Sequence, residues 1–203
     1  MDNTRPAPEP LGPRFREALD LTARLHQTQA RKGGSIPYVA HLLAVTAIVL
    51  ENGGDEDLAI AALLHDAVED QGGAETLAEI QRRFGDRVAD IVDACSDTDE
   101  IPKPPWRERK EAYLAHLQSA SPDVLLVSLS DKLHNARSIL MNYRALGPAL
   151  WERFNAGKDG QLWYYRELVR IFRQRSEHRE LVDELERVIT TLEQEILKGP
   201  GRV

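Results

Sequence analysis

The stretch that decides the fold is Asp57-Leu-Ala-Ile-Ala-Ala-Leu-Leu-His65-Asp66-Ala-Val-Glu69-Asp70. Its first eight residues are almost entirely apolar, and a helix apolar all round must be buried among other helices. Four ionisable groups then close the run. Burying them without partners would be costly, and a bound cation would remove that cost. Read as one helix from Asp57 to Glu69, the stretch sets His65 beside Glu69 and Asp66 beside Asp70 one turn on. The adjacent His65 and Asp66 can both reach a metal near the helix end, and Glu69 and Asp70 could handle a water.

The segments around it are helical too. Apolar residues at helical spacing (Phe15, Ala18, Leu19, Leu25) predict a helix from Phe15 to about Lys32, followed by a Gly33-Gly34-Ser35-Ile36-Pro37 loop. A second helix carries His41, Val45 and Ile48 and stops at Asn52-Gly53-Gly54. Gly72-Gly73 breaks the next, and Thr76 to Glu79 reads as a capping box for the one after. Val88 to Ala94 is a short helix, Asp97 to Trp106 a proline-rich loop, and Arg107 to Leu117 a helix with mixed charges on a solvated face. A long helix spans Asp123 to about Tyr143, with Pro122 in its first turn. A short helix over Ala149–Asn155 and longer ones over Leu162–Arg173 and Glu180–Leu197 complete the pattern. No alternation of Val, Ile and Thr argues for a sheet. The expectation is an all-α bundle: a polar, proline-rich leader over 1–13, one domain over 14–198 and a tail over 199–203.

Composition sets the outer limits. With 203 residues, 42% apolar and 29% charged, the chain can bury one sizeable core. No apolar run reaches the roughly 18 residues of a membrane span, and the leader lacks the apolar core of a secretory signal. The net charge of −7 and the interspersed basic residues argue against a nucleic-acid binder. The single Cys95 rules out an internal disulfide and points to a reducing cytoplasm. A small buried role is expected for it.

Two further fragments carry polar groups at helical spacing. In Ser130-Asp131-Lys132-Leu133-His134-Asn135-Ala136-Arg137-Ser138, the residues Asp131, Asn135 and Ser138 form one stripe at i, i+4, i+7. Short polar arms of this kind suit metal ligation and substrate contact, whereas His134 falls off the stripe and reads as structural. The third fragment is Pro37-Tyr38-Val39-Ala40-His41, preceded by Arg31-Lys32. Taken alone, His41 is a core histidine and the two cations are solvated.

The ordered set of His41, His65-Asp66 and Asp131 on helices resembles the HD superfamily of metal-dependent phosphohydrolases. More narrowly it is similar to the hydrolase domain of RelA/SpoT alarmone enzymes and to the stand-alone small alarmone hydrolases. The likeness spans about Phe15 to Tyr143 and is carried by Ala23–Lys32 with Pro-Tyr-x-x-His, by Leu-Leu-His-Asp-x-Val-Glu-Asp, by Phe84-Gly85 with Val88, and by Asp-Lys-Leu-His-Asn-x-Arg. It implies that His41, His65, Asp66 and Asp131 are ligands to a divalent metal, commonly manganese, although two imidazoles and two carboxylates also accept Fe, Co, Ni or Zn. It implies that Glu69 and Asp70 activate the attacking water, that Arg31 and Lys32 contact substrate phosphate, and that Asn135 and Ser138 lie at the nucleotide. His26 is expected to support the site. The implied reaction is removal of the 3′-pyrophosphate from guanosine tetra- or pentaphosphate, giving GDP or GTP. An adenine alarmone, NADPH, or a non-catalytic nucleotide-binding role are the alternatives.

The sequence departs from the family at Leu42, at Gln71, in Ser128-Leu129-Ser130 and through Asp97–Leu117. Within these 203 residues a hydrolase domain without a synthetase domain is expected. Trp163-Tyr164-Tyr165 is expected in an ordinary core or surface role, and His116 and His178 carry no assignment. The apolar stripe Leu181, Leu185, Val188, Leu192, Ile196 is expected on the body of the domain, with homo-oligomerisation through this C-terminal helix as the other use.

Overall fold

A computed structural model describes residues 11–96 and 102–199. Most of the proposed leader, residues 97–101 of the proline-rich loop, and all of the tail but Gly199 lie outside it. The described residues form helices α1 (Pro13–Leu25), α2 (Val39–Glu51), α3 (Glu56–Leu64), α4 (Ala67–Asp70), α5 (Gly73–Phe84), α6 (Asp86–Cys95), α7 (Trp106–Leu117), α8 (Pro122–Leu146), α9 (Gly157–Arg175) and α10 (Arg179–Lys198). A 3-10 segment, Gly147–Arg153, links α8 to α9. No strand occurs among the described residues, only an isolated antiparallel bridge between Ala30 and Pro37. The all-α expectation holds.

The apolar α3 is the centre of the packing. Every residue from Leu58 to Leu64 is buried, and α1, α2, α6 and α8 surround the helix. Asp55 fixes its start by accepting the Leu58 N–H at 2.9 Å, as an N-cap does. The 25-residue α8, roughly 37 Å long at 1.5 Å per residue, runs beside it and is capped by Ser121. The stripe of α10 is spent within the chain: Leu181, Leu185, Val188 and Leu192 are buried, and the helix packs on α8 and α9.

Three expectations about the elements are corrected. First, α1 ends at Leu25, not near Lys32. No apolar residue follows Leu25 until Ala30, so nothing holds a helical face to the core. The chain turns instead, with Arg31 N–H donating to Ile36 O at 2.8 Å and Tyr38 N–H to Gln29 O at 2.9 Å. Second, the central helix breaks at His65-Asp66 and restarts as α4. The carbonyls of the last turn of α3 are taken by side chains: His65 Nδ1 lies 2.8 Å from Ala62 O, and Thr22 Oγ1 donates to Leu63 O at 3.3 Å. Third, Thr76 does not cap α5. That helix already starts at Gly73, and the Thr76 hydroxyl donates to Gln71 O at 2.7 Å. The turn between α4 and α5 rests on Gly72 at φ +128°, which side-chain-bearing residues rarely adopt.

Candidate metal centre and adjoining cavity

The break after Leu64 and the midpoint of α8 place two acidic residues opposite two histidines. His41 comes from the first turn of α2, and its side chain is fully buried. Its Nε2 stands 3.1 Å from Asp131 Oδ1 and 3.5 Å from Asp66 Oδ2. His65 Nε2 stands 3.1 Å from Asp66 Oδ2 and 3.7 Å from Asp131 Oδ1. Thus all four residues expected to bind metal from the sequence converge. Both Nε2 atoms are buried without a hydrogen-bond partner, and ligand atoms of His41, His65 and Asp66 lie within 4.8 Å of one another. Neighbouring ligands on an ion with bonds of roughly 2.0–2.1 Å would stand roughly 3.0–3.4 Å apart. His41, His65 and Asp66 therefore have the chemistry and the proximity to hold a divalent cation, with Asp131 Oδ1 at the edge of the group, 3.1 Å from His41 Nε2.

Each member of the cluster is held by a further group. Tyr38 donates its hydroxyl to Asp66 Oδ2 at 2.7 Å. Burial and the Asp66 charge push the phenol far above its ordinary range, so it remains a donor. The same ring stacks on His26 at 5.4 Å, with the Arg31 guanidinium 5.6 Å from its centroid. Asp131 receives Lys132 Nζ on Oδ2 and Asn135 Nδ2 on Oδ1, both at 2.5 Å. Burial alone would raise the Asp131 pKa, but Lys132 and the two histidines hold it well below the usual carboxylate range. Burial would likewise lower His65, yet the charge of Asp66, with the Asp131 carboxylate beside it, holds it well above its ordinary value.

His134 does not face away from the site, as its place off the polar stripe had implied. Its Nδ1 lies 2.7 Å from Nδ1 of His41. Burial, His41 and Arg31 together push its pKa down to about 4. The geometric reason for the misreading is that α2, not α8, supplies the group it meets.

Glu69 and Asp70 stand on α4 beside the cluster rather than in it. Asp70 accepts Gln29 Nε2 at 2.8 Å, and Glu69 pairs with Lys103 Nζ at 2.8 Å. Burial raises the Asp70 pKa; the Gln29 hydrogen bond opposes this and the Asp66 and Glu69 charges add to it. Gln29 Oε1 in turn meets Gln71 Nε2 and His26 Nδ1, both at 2.6 Å. His26 therefore supports the site, as expected, through Gln29 and Tyr38.

A cavity of about 550 Å³ opens beside His41, between the 26–38 turn, α7, α8 and α9. Arg31, Lys32, Asn135 and Ser138 all line it. Arg31 donates to Asn135 Oδ1 at 2.6 Å, so one amide joins this cation to Asp131. Ser138 Oγ donates to His134 O at 3.0 Å. Five cationic side chains, Arg31, Lys32, Lys110, Lys132 and Arg153, contribute to the walls, and no Asp or Glu does so among the described residues. Trp106, Tyr164 and Tyr165 form an aromatic side; the Tyr pair is buried in the core, the ordinary role expected of it, and its edge lines the cavity, while Trp163 stacks outside the lining against Arg107 at 3.3 Å.

Sequence reading missed Tyr38, Gln29, Lys103, Lys110, Lys132 and Arg153. Tyr38 had a signal, its place in the Pro-Tyr-x-x-His fragment. Lys132 had one too, its place in the Asp-Lys-Leu-His-Asn fragment; Lys103, Lys110 and Arg153 had none, because the packing of distant segments decides which of many Lys and Arg face inward.

Comparison with known proteins agrees with this geometry. A family profile described as HD domain matches residues 18–162. The guanosine-3′,5′-bis(diphosphate) 3′-pyrophosphohydrolase MESH1 of Xenopus tropicalis is 40% identical over 126 residues, which cover 61% of this chain and 68% of that one. The Homo sapiens protein of the same name is 38% identical over the same shares. The bifunctional (p)ppGpp synthase/hydrolase SpoT of Escherichia coli is 32% identical over 65% of this chain but only 19% of its own length. A solved structure of a metazoan ortholog of SpoT, described as hydrolysing ppGpp, superposes with a TM-score of 0.72. It has 25% identity and covers 94% of this chain and 99% of that one.

Proposed function

Because this chain belongs to the HD-domain family, we propose that it is a metal-dependent hydrolase removing the 3′-pyrophosphate of guanosine tetra- or pentaphosphate. Water enters, the bond between the ribose 3′ oxygen and phosphorus breaks, and GDP or GTP leaves with pyrophosphate. The observation that carries the nucleotide reading is the cavity wall, which among the described residues has five cations, no carboxylate and an aromatic side, directly beside the His-Asp cluster. Such a wall fits a polyanion joined to a flat base, in a protein whose net charge is −7. The 3′-pyrophosphohydrolases that match the chain at up to 40% identity act on a molecule of that kind.

His41, His65, Asp66 and Asp131 would hold the ion. When bound, a divalent cation supplies Lewis acidity toward a phosphoryl oxygen and lowers the pKa of a water. Manganese is the family expectation, and the two-nitrogen, two-oxygen donor set accommodates it. Glu69 and Asp70 then orient the water and accept its proton. Arg31 grips a phosphate with a planar fork while Lys32 contributes a point charge. Asn135 and Ser138 meet the nucleotide. Residues 14–198 form the one hydrolase domain in this reading, and the single cysteine supports a reducing cytoplasm as its place of action.

The test is a hydrolysis panel with added metal, using ppGpp, ppApp, NADPH and ordinary nucleoside triphosphates. Pyrophosphate release from ppGpp, with little turnover of the triphosphates, is the expected result. Turnover of ppApp or NADPH in its place would redirect the substrate assignment. Tight nucleotide binding without turnover in any metal would replace the enzyme with a regulator.

A further inference from the structure

The two histidines of the cluster are oriented by different kinds of partner. His65 Nδ1 faces the Ala62 carbonyl at 2.8 Å. A carbonyl can only accept, so the ring must carry its proton on Nδ1, which leaves the Nε2 lone pair for a cation. His41 has no such fixed acceptor. Its Nδ1 faces Nδ1 of His134 at 2.7 Å, and one of these two nitrogens must be the donor. The other nitrogen of His41 is buried, has no hydrogen-bond partner and faces Asp131 and Asp66. A neutral imidazole has one N–H and one lone pair. Holding a cation at Nε2 therefore requires the His41 proton on Nδ1, and that proton requires an acceptor at His134.

We infer that His134 is the positioning residue for His41: its Nδ1 lone pair accepts the His41 Nδ1–H and so dedicates His41 Nε2 to the metal. The inference rests on the reading of His41 as a ligand. It follows that His134 carries its own proton on Nε2. An imidazole thus does here what a carboxylate or a backbone carbonyl does behind most metal-bound histidines. Unlike the carbonyl behind His65, this acceptor can be altered by substitution. His134 also lines the substrate cavity, and its main chain accepts the Ser138 hydroxyl.

Two measurements on the whole chain test this. The first is the affinity for Mn²⁺, read by competition with a chromophoric chelator, in wild type, His134→Phe, His134→Asn and His41→Ala. Loss of an outer partner of a ligand commonly weakens metal binding about 10- to 100-fold, and that is the fall expected for His134→Phe. Asparagine can set its amide oxygen near the position of Nδ1, so His134→Asn should stay within about threefold of wild type. Wild-type affinity in His134→Phe overturns the inference. So does equal loss in Phe and Asn, which would make the role one of packing. If His41→Ala binds as tightly as wild type, the ligand reading itself fails, and this outcome is separate from the other two.

The second measurement needs no variant. Long-range ¹H–¹⁵N NMR spectra of the Zn²⁺-loaded protein report which ring nitrogen carries each proton. A His134 proton on Nε2 with one on His41 Nδ1 supports the inference, and a His134 proton on Nδ1 overturns it.

Discussion

Removing the metal should destabilise the protein, and by an amount that depends on pH in a defined direction. In the metal-free protein burial would lower the His65 pKa, but the nearby Asp66 and Asp131 carboxylates outweigh it and hold His65 well above its ordinary value. A raised folded-state pKa contributes stability that is complete below the unfolded value of about 6.5 and is lost as pH rises through the folded one. The proton on His65 therefore does part of the work of a cation between the two carboxylates. A metal must displace it, because a ligating imidazole needs its lone pair. While His65 remains protonated in the metal-free form, each pH unit gained should tighten metal binding about tenfold, or about 1.4 kcal/mol. At a free metal concentration 100 times the Kd, linkage adds about 2.7 kcal/mol of stability. For a chain of this length, at about 2–4 °C per kcal/mol, the midpoint should rise by roughly 5–11 °C. The assay is thermal unfolding of chelator-treated protein titrated with Mn²⁺, repeated between pH 6 and 9, with Asp66→Ala as the control. The shift at fixed metal should grow with pH and be absent in the control. A wild-type shift that is absent, or that shrinks as pH rises over this range, would refute the reasoning.

Three other outcomes can be checked with single substitutions. Asp66→Ala should abolish stoichiometric metal binding, whereas Glu69→Ala should keep the metal and lose about 10²–10⁴-fold in kcat, the usual reach of a general base; metal analysis paired with turnover separates the two. Tyr38→Phe keeps the ring that stacks on His26 and removes the 2.7 Å hydrogen bond to Asp66; with Asp66 partly open to water, about tenfold weaker Mn²⁺ binding is expected, near the lower end for bonds to charged groups. Asp55→Ala removes the cap of α3 and a partner of Arg87, which should cost about 1 kcal/mol, seen as a lower chemical-denaturation midpoint. Burial opposes the low Asp55 pKa, but the Leu58 N–H and Arg87 outweigh it; its contribution is therefore present above about pH 4 and lost as pH falls through the depressed folded value, so the gap between variant and wild type should narrow in acid.

The fold was legible because it is written in local spacing, as were the polar groups at His65-Asp66 and Asp131; His41 reads as a core histidine by spacing alone, and only the family resemblance joined it to the other three. The all-apolar run before His65 demands burial, and Asp131, Asn135 and Ser138 fall on one face of a helix long enough to be certain of its period. What escaped is what spacing cannot carry. Periodicity extended α1 through His26, yet the chain turns there and the turn brings Arg31 within 2.6 Å of Asn135, over a separation of 104 residues. A uniform helical period also ran through His65-Asp66, whereas the structure breaks there.

That break has a chemical use. In an unbroken helix the Ala62 carbonyl would be committed to the backbone of residue 66; at the interrupted end it meets the His65 ring. The interruption thus both ends the buried helix and supplies the acceptor that directs His65 Nε2 toward the carboxylates. No pattern of apolar and polar residues encodes this. His134 shows the same limit from the other side: the face of α8 it occupies is not apolar enough to be core or polar enough to join the stripe, and its role is set by a ring on α2 that sequence spacing places 93 residues away.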